Sequence, residues 1–91
     1  MRSVHLAISG RVQGVGYRAW FAATARELGL DGWVRNRRDG SVEAVIAGGE
    51  AAVAAMLAAC HEGSPAAQVS GVAVSDIAAP EGSGFRVLPS A

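Results

Sequence analysis

A glycine-rich stretch at residues 10–18 contains the residue types that chemistry on an anion requires. It reads GRVQGVGYR and follows an alternating apolar run, Val4 to Ile8, that is typical of a strand. A strand that passes through glycines into a helix leaves backbone N–H groups unpaired at the positive end of the helix dipole, where an anion can bind. Gly14 and Gly16 permit positive φ angles, and Arg18 offers a planar fork to phosphate oxygens. We therefore predict a phosphate cradle at this turn.

The same turn also has the spacing of a dinucleotide-binding fingerprint, Gly14-x-Gly16-x-x-Ala19. Three features oppose that interpretation. The chain is too short for six parallel strands, the helix after the turn leads to a hairpin, and no acidic residue ends a second parallel strand. A glycine-rich turn that only reverses the chain is the other alternative to a phosphate cradle.

The hydrophobic periodicity of the chain predicts five strands and two helices. Residues 17–28 carry apolar side chains at helical spacing and end before Gly29, a plausible helix stop. The pair Asp39-Gly40 is a familiar hairpin signal. The predicted strands are residues 3–10, about 32–37, about 41–47, 68–77 and 84–88, and the predicted helices are residues 17–28 and a segment within 48–63.

The order strand, helix, strand, strand, helix, strand is the split βαβ plan, in which two helices cover one face of an antiparallel sheet. A right-handed crossover sets the first two strands parallel, with the third strand between them. Their C-terminal ends then share one edge of the sheet. Two strand spacings place the glycine-rich turn roughly 10 Å from the end of the second strand, so side chains from the two places can meet.

The charge of the chain excludes several classes of function. The formal net charge is zero, so nothing global draws the protein to nucleic acid or to an anionic membrane, and any attraction for anions must be local. All eight basic residues are arginine. The absence of lysine excludes a lysine Schiff base and a phosphate loop of the GxxxxGK[ST] type.

Cysteine usage and hydrophobic runs favour a cytoplasmic protein. Cys60 is the single cysteine, so no internal disulfide and no cysteine-rich metal site can form. The longest uninterrupted apolar run, Ala51 to Cys60, is short of the roughly 20 residues that span a bilayer. We expect residues 1–91 to form one domain, with no secretion signal, and a monomer, because no apolar stripe is left over for a partner.

Two long segments, GRVQGVGYR at residues 10–18 and GWVRNRRDGSV at residues 32–42, resemble the two signature segments of the acylphosphatase family. The resemblance covers nearly the whole chain. It implies an α+β fold of the ferredoxin-like type, a βαββαβ sandwich whose antiparallel sheet has two helices on one face, here with a short fifth strand. It also implies an enzyme that hydrolyses acyl phosphates to carboxylate and phosphate and uses no metal or other cofactor.

The resemblance also assigns roles to individual residues. By resemblance, Arg18 is the phosphate-binding arginine and Asn36 orients the attacking water, which makes these two the candidate catalytic residues. An acyl phosphate has a good carboxylate leaving group, so positioning and charge stabilisation can do most of the work. The expected partners are a small acyl phosphate, inorganic phosphate or another anion. The cradle residues expected to bind the phosphoryl oxygens are Gln13, Gly14, Val15, Gly16, Tyr17 and Arg18.

Two functions from other classes compete with hydrolysis. A non-catalytic anion-binding or regulatory domain would need the cradle but not Asn36. An RNA-binding module on the same fold presents aromatic residues from its central strands for base stacking, and the runs VHLAISG and SVEAVIAG contain none. We therefore expect no nucleic-acid partner.

Residues near the predicted hairpin leave alternatives open. Arg35, Arg37 and Arg38 cluster beside Asn36 and are either a solvated turn or a guide for anionic substrates. Trp33 either walls the site or is simply buried. Ser41 either bonds the Asn36 side chain or caps the turn, and Asp39 and Glu43 are too isolated to form a carboxylate pair or a magnesium site.

The remaining chemically capable side chains are expected to have structural roles. The two histidines, His5 and His61, lie far from the cradle in the predicted fold. Cys60 falls on the apolar face of the second helix. Trp20 and Phe21 follow the cradle at helical spacing, which indicates core packing rather than contact with a substrate.

Overall fold

A computed structural model describes residues 1–91 and contains five strands and two helices in the predicted order. Every predicted strand end lies within one residue of its observed position. The elements are β1 (Arg2–Arg11), α1 (Tyr17–Glu27), β2 (Asp31–Asn36), β3 (Val42–Gly48), α2 (Glu50–Glu62), β4 (Gln68–Asp76) and β5 (Phe85–Val87).

The five strands form one sheet in the order β4-β1-β3-β2-β5. β3 is antiparallel to both β1 and β2, so these two strands run parallel on either side of it. In this register Ile8 of β1 and Asn36 of β2 both lie opposite Val42 of β3. The C-terminal ends of β1 and β2 are therefore at the same edge of the sheet, as predicted from the split βαβ plan.

Both helices lie on one face of this sheet and enclose the core. Alternate residues of β1 and β3 are fully buried there, including Leu6 and Ile46, and they join Phe21 of α1 and Met56 of α2 in one cluster of 17 residues. Cys60, Trp20 and Phe21 belong to this cluster or pack against it, which confirms their predicted structural roles. Packing of α1 against the sheet in this cluster holds the start of that helix near the sheet edge.

A bulge at the end of β1 turns the chain away from β3. The pairing of β1 with β4 shifts register between Ser9 and Gly10, and Gly10 has a φ of 118°. A Cβ at this position would overlap the carbonyl oxygen of Gln68, so glycine is required for both conformation and space. The bulge directs residues 12–16 into the loop that precedes α1.

The chain beyond β5 continues along β2 past the end of that strand. The N–H of Leu88 donates to the carbonyl of Val34, that of Ala91 to Asn36, and that of Arg38 to Ala91, each at 2.9 Å. The backbone of Asn36 is therefore held between β3 on one side and this C-terminal segment on the other. Neither helix of the protein is long and apolar enough to cross a membrane.

Candidate active site

A cleft of about 290 Å³ opens at the sheet edge where β1 and β2 end. It brings together the loop after β1, the first residues of α1, the last residue of β2 and the last residue of β5. No acidic residue contributes to its wall. The lining residues are Val12, Gln13, Gly14, Gly16, Tyr17, Arg18, Ala19, Asn36 and Val87.

The loop before α1 has the conformation that the sequence predicts for an anion cradle. Gly14 and Gly16 adopt φ angles of 72° and 75°, in the left-handed region that glycine favours. The first backbone N–H of the helix to be bonded is that of Trp20, which donates to Gly16 at 3.0 Å. The N–H groups of residues 13–19 donate to no acceptor in the protein, and no acidic side chain caps the helix. Six of these seven residues line the cleft, and Val15 does not, so a run of unpaired donors borders a space where an anion can bind.

Arg18 is the second residue of α1 and adds a full positive charge to this loop. Its side chain is half-buried and lines the cleft. The three ion pairs of the protein use Arg2, Arg35 and His5, and the Arg18 guanidinium makes neither an ion pair nor a hydrogen bond. Its five N–H donors are therefore free for an anionic ligand.

The end of α2 and the segment after it hold the cradle from behind. The hydroxyl of Tyr17 donates to the carbonyl of Cys60 at 2.8 Å, and the Tyr17 ring is buried. The hydroxyl of Ser64, itself buried, donates to the carbonyl of Val15 at 3.0 Å. Burial, with a smaller contribution from Cys60, holds the pKa of Tyr17 well above its usual value. The buried Tyr17 side chain therefore anchors the start of α1 to the end of α2.

Gln13 connects the cradle to the turn between β2 and β3. Its side-chain nitrogen Nε2 donates to the carbonyl of Arg37 at 2.7 Å and to that of Ser41 at 2.8 Å. Its backbone N–H is one of the unpaired cradle donors. The sequence predicts that Gln13 belongs to the phosphate cradle, but no local pattern signals this second connection.

Asn36 faces the cradle from the end of β2. It shares the helix-side face of the strand with Val34, which is buried, and it lines the same cleft as Arg18. Its Oδ1 is the only buried side-chain nitrogen or oxygen in the protein without a hydrogen-bond partner. Native proteins rarely leave such a group unpaired, and a catalytic role is one of the explanations for an exception. Asn36 and the cradle residues thus line one cleft from the two strand ends that share this edge of the sheet.

Comparison with known proteins identifies the fold and its relatives. A sequence model of the acylphosphatase family matches residues 4–87. The chain belongs to the acylphosphatase family. An acylphosphatase of Rhodospirillum rubrum is 54% identical over 90 residues, which cover 99% of each chain. One of Rhodopseudomonas palustris is 65% identical over 74 residues, which cover 81% of this chain and 74% of that protein.

Solved acylphosphatase structures superpose on nearly the entire chain. The crystal structure of acylphosphatase from Bacillus subtilis gives a TM-score of 0.92 at 36% identity and covers 97% of this chain and 99% of its own. An acylphosphatase from Coxiella burnetii gives the same TM-score at 38% identity and covers 96% of this chain and 92% of its own. The ferredoxin-like βαββαβ fold expected from the sequence is confirmed.

In this acylphosphatase fold, Trp33 and Arg35 lie on the sheet face that the helices leave uncovered. The Arg35 guanidinium lies 4.9 Å from the centre of the Trp33 ring, and its Nε donates to Glu43 Oε1 at 2.7 Å. The interpretation of Trp33 as a wall of the site is wrong, because residues an odd number of positions from Asn36 point to the opposite face of a strand. Arg35 is turned away from the cleft for the same reason.

Glu43 is the centre of a charged cluster on that uncovered face. Its second oxygen, Oε2, lies 2.7 Å from His5 Nε2, so His5 has a structural partner far from the cleft. Burial opposes ionisation of Glu43, but hydrogen bonds from His5 and Arg35, together with the positive charge of Arg35, hold its pKa below the usual value. Glu43, predicted to be too isolated for a carboxylate pair or a magnesium site, thus has two basic partners instead.

Ser41 caps the turn between β2 and β3. Its backbone N–H and its hydroxyl donate to Asp39 Oδ1 at 2.9 and 2.6 Å, and these bonds lower the pKa of Asp39. Of the two roles considered for Ser41, the structure therefore supports the cap and shows no bond to Asn36. Arg37 and Arg38 are exposed in this turn and do not line the cleft.

Proposed function

We propose that this chain hydrolyses acyl phosphates to a carboxylate and inorganic phosphate by in-line attack of water, with Arg18 and Asn36 as its catalytic residues. The observation that carries the proposal is that one cleft is lined by six residues with unpaired backbone N–H groups, a free guanidinium and an unpaired carboxamide. Membership of the acylphosphatase family supports the same reaction.

The cradle supplies charge stabilisation. The amides of residues 13–18 and the Arg18 guanidinium hold the phosphoryl oxygens, on which charge is spread in the transition state. Each preorganised donor of this kind is worth about 2.7–4 kcal/mol of barrier in well-studied enzymes. Because these donors are fixed before the substrate binds, little reorganisation is needed during the reaction.

Asn36 supplies the position of the nucleophile. Its carboxamide oxygen accepts a hydrogen bond from water, and this bond turns a lone pair of the water oxygen toward phosphorus, opposite the leaving oxygen. Asparagine is a poor base, so a phosphoryl oxygen receives the proton as the P–O bond to water forms. The bond to the acyl oxygen breaks and the carboxylate leaves without a general acid, because it is a weakly basic leaving group.

The composition of the cleft supports a reaction without a divalent cation. Mg²⁺ is normally bound through one or two carboxylates, and the cleft wall contains none. The positive charge that a metal would bring to the phosphoryl group comes instead from Arg18 and the helix N-terminus.

We further infer a monomer of one domain that acts in the cytoplasm. One core cluster connects both helices with the sheet, and only four large apolar residues are exposed, Met1, Val74, Ile77 and Val87. The thiol of Cys60 is buried and unpaired, which suits a reducing compartment. Analytical ultracentrifugation tests the oligomeric state against the mass of 9.2 kDa.

Phosphate release from benzoyl phosphate, measured with and without EDTA, tests the proposed function. We expect multiple turnovers that EDTA does not change. Binding of inorganic phosphate without turnover would show a non-catalytic anion-binding domain instead, and loss of activity in EDTA would contradict a metal-free reaction.

A further inference from the structure

We propose that Gln13 is a positioning residue that sets the separation between the phosphate cradle and Asn36. Both hydrogens of its side-chain amide are committed to the turn after Asn36, one to Arg37 and one to Ser41. No donor of this side chain remains for a phosphoryl oxygen. The inference deepens the proposed function, because it assigns the Gln13 side chain to geometry and leaves only its backbone N–H to bind the anion.

The sheet does not by itself hold the cradle against the turn. The pairing of β1 with β3 ends at Ile8 and Val42, and beyond the bulge β1 pairs only with β4. A polar gap of about 220 Å³ opens there between residues 9–10 of β1 and residues 39–41 of the turn. Gln13 spans the two sides beyond the last paired residues. Its side chain therefore replaces the backbone bonds that are missing at this edge.

The two acceptors of Gln13 are the carbonyls that close the turn. The Arg37 carbonyl also accepts from the N–H of Gly40 at 3.2 Å, and the Ser41 carbonyl accepts from the N–H of Arg37 at 2.9 Å. Gln13 thus bonds to both ends of the turn, directly after Asn36 in the chain. A shift of the cradle relative to this turn changes the distance from the bound phosphorus to the Asn36 carboxamide. Misplacement by about 1 Å costs about 100-fold in rate in positioned reactions.

The variant Gln13→Met tests this role, because it keeps the side-chain length and the backbone N–H but removes both donors. On benzoyl phosphate we expect kcat to fall by about 10-fold to 100-fold, while the inhibition constant of inorganic phosphate changes by less than about 3-fold. An inhibition constant that rises in step with the loss of kcat would overturn the proposal, since the side chain would then bind the anion. An unchanged kcat would overturn it too.

The matched control is Ser41→Ala. This variant removes the hydroxyl bond to Asp39 in the same turn but keeps the carbonyl that Gln13 needs. We expect its kcat to stay within about 2-fold of the wild type, because exposed substitutions of this kind usually disturb the folded structure little. A loss equal to that of Gln13→Met would show that any disturbance of the turn suffices, which contradicts a specific role of Gln13.

A double variant shows whether Gln13 acts through Asn36. In an Asn36→Ala background, Gln13→Met should lower kcat by no more than about 2-fold, because the group that it positions is gone. A full, additive loss would overturn the proposal.

Hydrogen exchange separates this inference from the proposed function. The N–H of Arg37 donates to a carbonyl that Gln13 also binds, so Gln13→Met should accelerate its exchange by about 10-fold, as expected when a turn opens more often. If the wild-type protein releases no phosphate, the proposed function fails. The exchange rate at Arg37 still shows whether the Gln13 side chain holds the turn closed. Unchanged exchange at Arg37 in Gln13→Met would overturn it.

Discussion

Arg18 and Asn36 line one cleft from two different elements, and neither side chain has a hydrogen-bond partner in the protein. Arg18 comes from the start of α1 and Asn36 from the end of β2. The parallel arrangement of β1 and β2 around β3 is what brings these element ends together. The pair combines a group that holds an anion with a group that orients a neutral nucleophile, and the two functions can be separated by mutation.

Replacement of Asn36 by alanine should remove turnover without removing the anion site. Asn36→Ala is expected to lower kcat by at least about 100-fold, because the water loses its orientation while the cradle is untouched. The inhibition constant of inorganic phosphate should stay within about 3-fold of the wild-type value. Steady-state kinetics on benzoyl phosphate measures both quantities.

Gln68→Ala is the matched control for Asn36→Ala, because it deletes an exposed carboxamide outside the cleft. Its kcat should equal that of the wild type. Normal turnover in Asn36→Ala would remove the carboxamide from the mechanism.

Replacement of Arg18 by lysine should fail although the charge is kept. A guanidinium presents two parallel donors to phosphoryl oxygens, whereas an ammonium is a compact point charge that cannot reproduce this geometry. We expect Arg18→Lys to lower kcat/KM by about 100-fold, in the range seen when one donor to a developing oxyanion is lost. The control is Arg11→Lys, an exposed arginine at the end of β1 that makes no ion pair. Near-full activity of Arg18→Lys would mean that charge alone is sufficient.

Removal of the Ser64 hydroxyl should weaken the anion site from behind. The C=O and N–H of a trans peptide point in opposite directions, so the bond from Ser64 to the Val15 carbonyl turns the N–H of Gly16 away from Ser64. In Ser64→Ala the carbonyl loses its partner, which typically costs about 1–3 kcal/mol. We expect the free energy of unfolding to fall by this amount.

The same Ser64→Ala variant should also bind phosphate less tightly. A cradle peptide that is free to rotate no longer presents its N–H in advance, so we expect the inhibition constant of inorganic phosphate to rise by about 10-fold. The control is Ser75→Ala, because Ser75 is an exposed residue of β4 whose hydroxyl makes no hydrogen bond. An unchanged inhibition constant would show that the cradle keeps its conformation without Ser64.

The parts of this site that the sequence predicts are those encoded by local pattern. Gly14 and Gly16 signal positive φ angles, alternation in residues 4–8 signals a strand, and the element order places Asn36 near the cradle. Each of these inferences needs only neighbouring residues or a general rule of chain topology.

The side-chain bonds that support the cradle could not be predicted in this way. Gln13 bonds to residues 24 and 28 positions away, and Ser64 bonds to one 49 positions away. Neither pairing has a periodicity or a charge pattern to signal it. The roles near the cleft that were considered for Trp33 and Arg35 are a different case. The alternation of side chains along a strand already assigns both residues to the face opposite Asn36.

The cluster around Glu43 predicts how stability depends on pH. The folded state lowers the pKa of Glu43 below its ordinary value of 4.5, so the unfolded state takes up the proton first as the pH falls. Stability from this group is therefore fully present above pH 4.5 and is lost as the pH decreases through the lowered pKa.

Urea unfolding of wild type and Glu43→Gln should show a steeper loss of stability in the wild type below pH 4.5. The inhibition constant of inorganic phosphate at neutral pH should be the same in both proteins, because Glu43 lies outside the cleft. Parallel pH profiles of unfolding would show that His5 and Arg35 do not stabilise the ionised carboxylate.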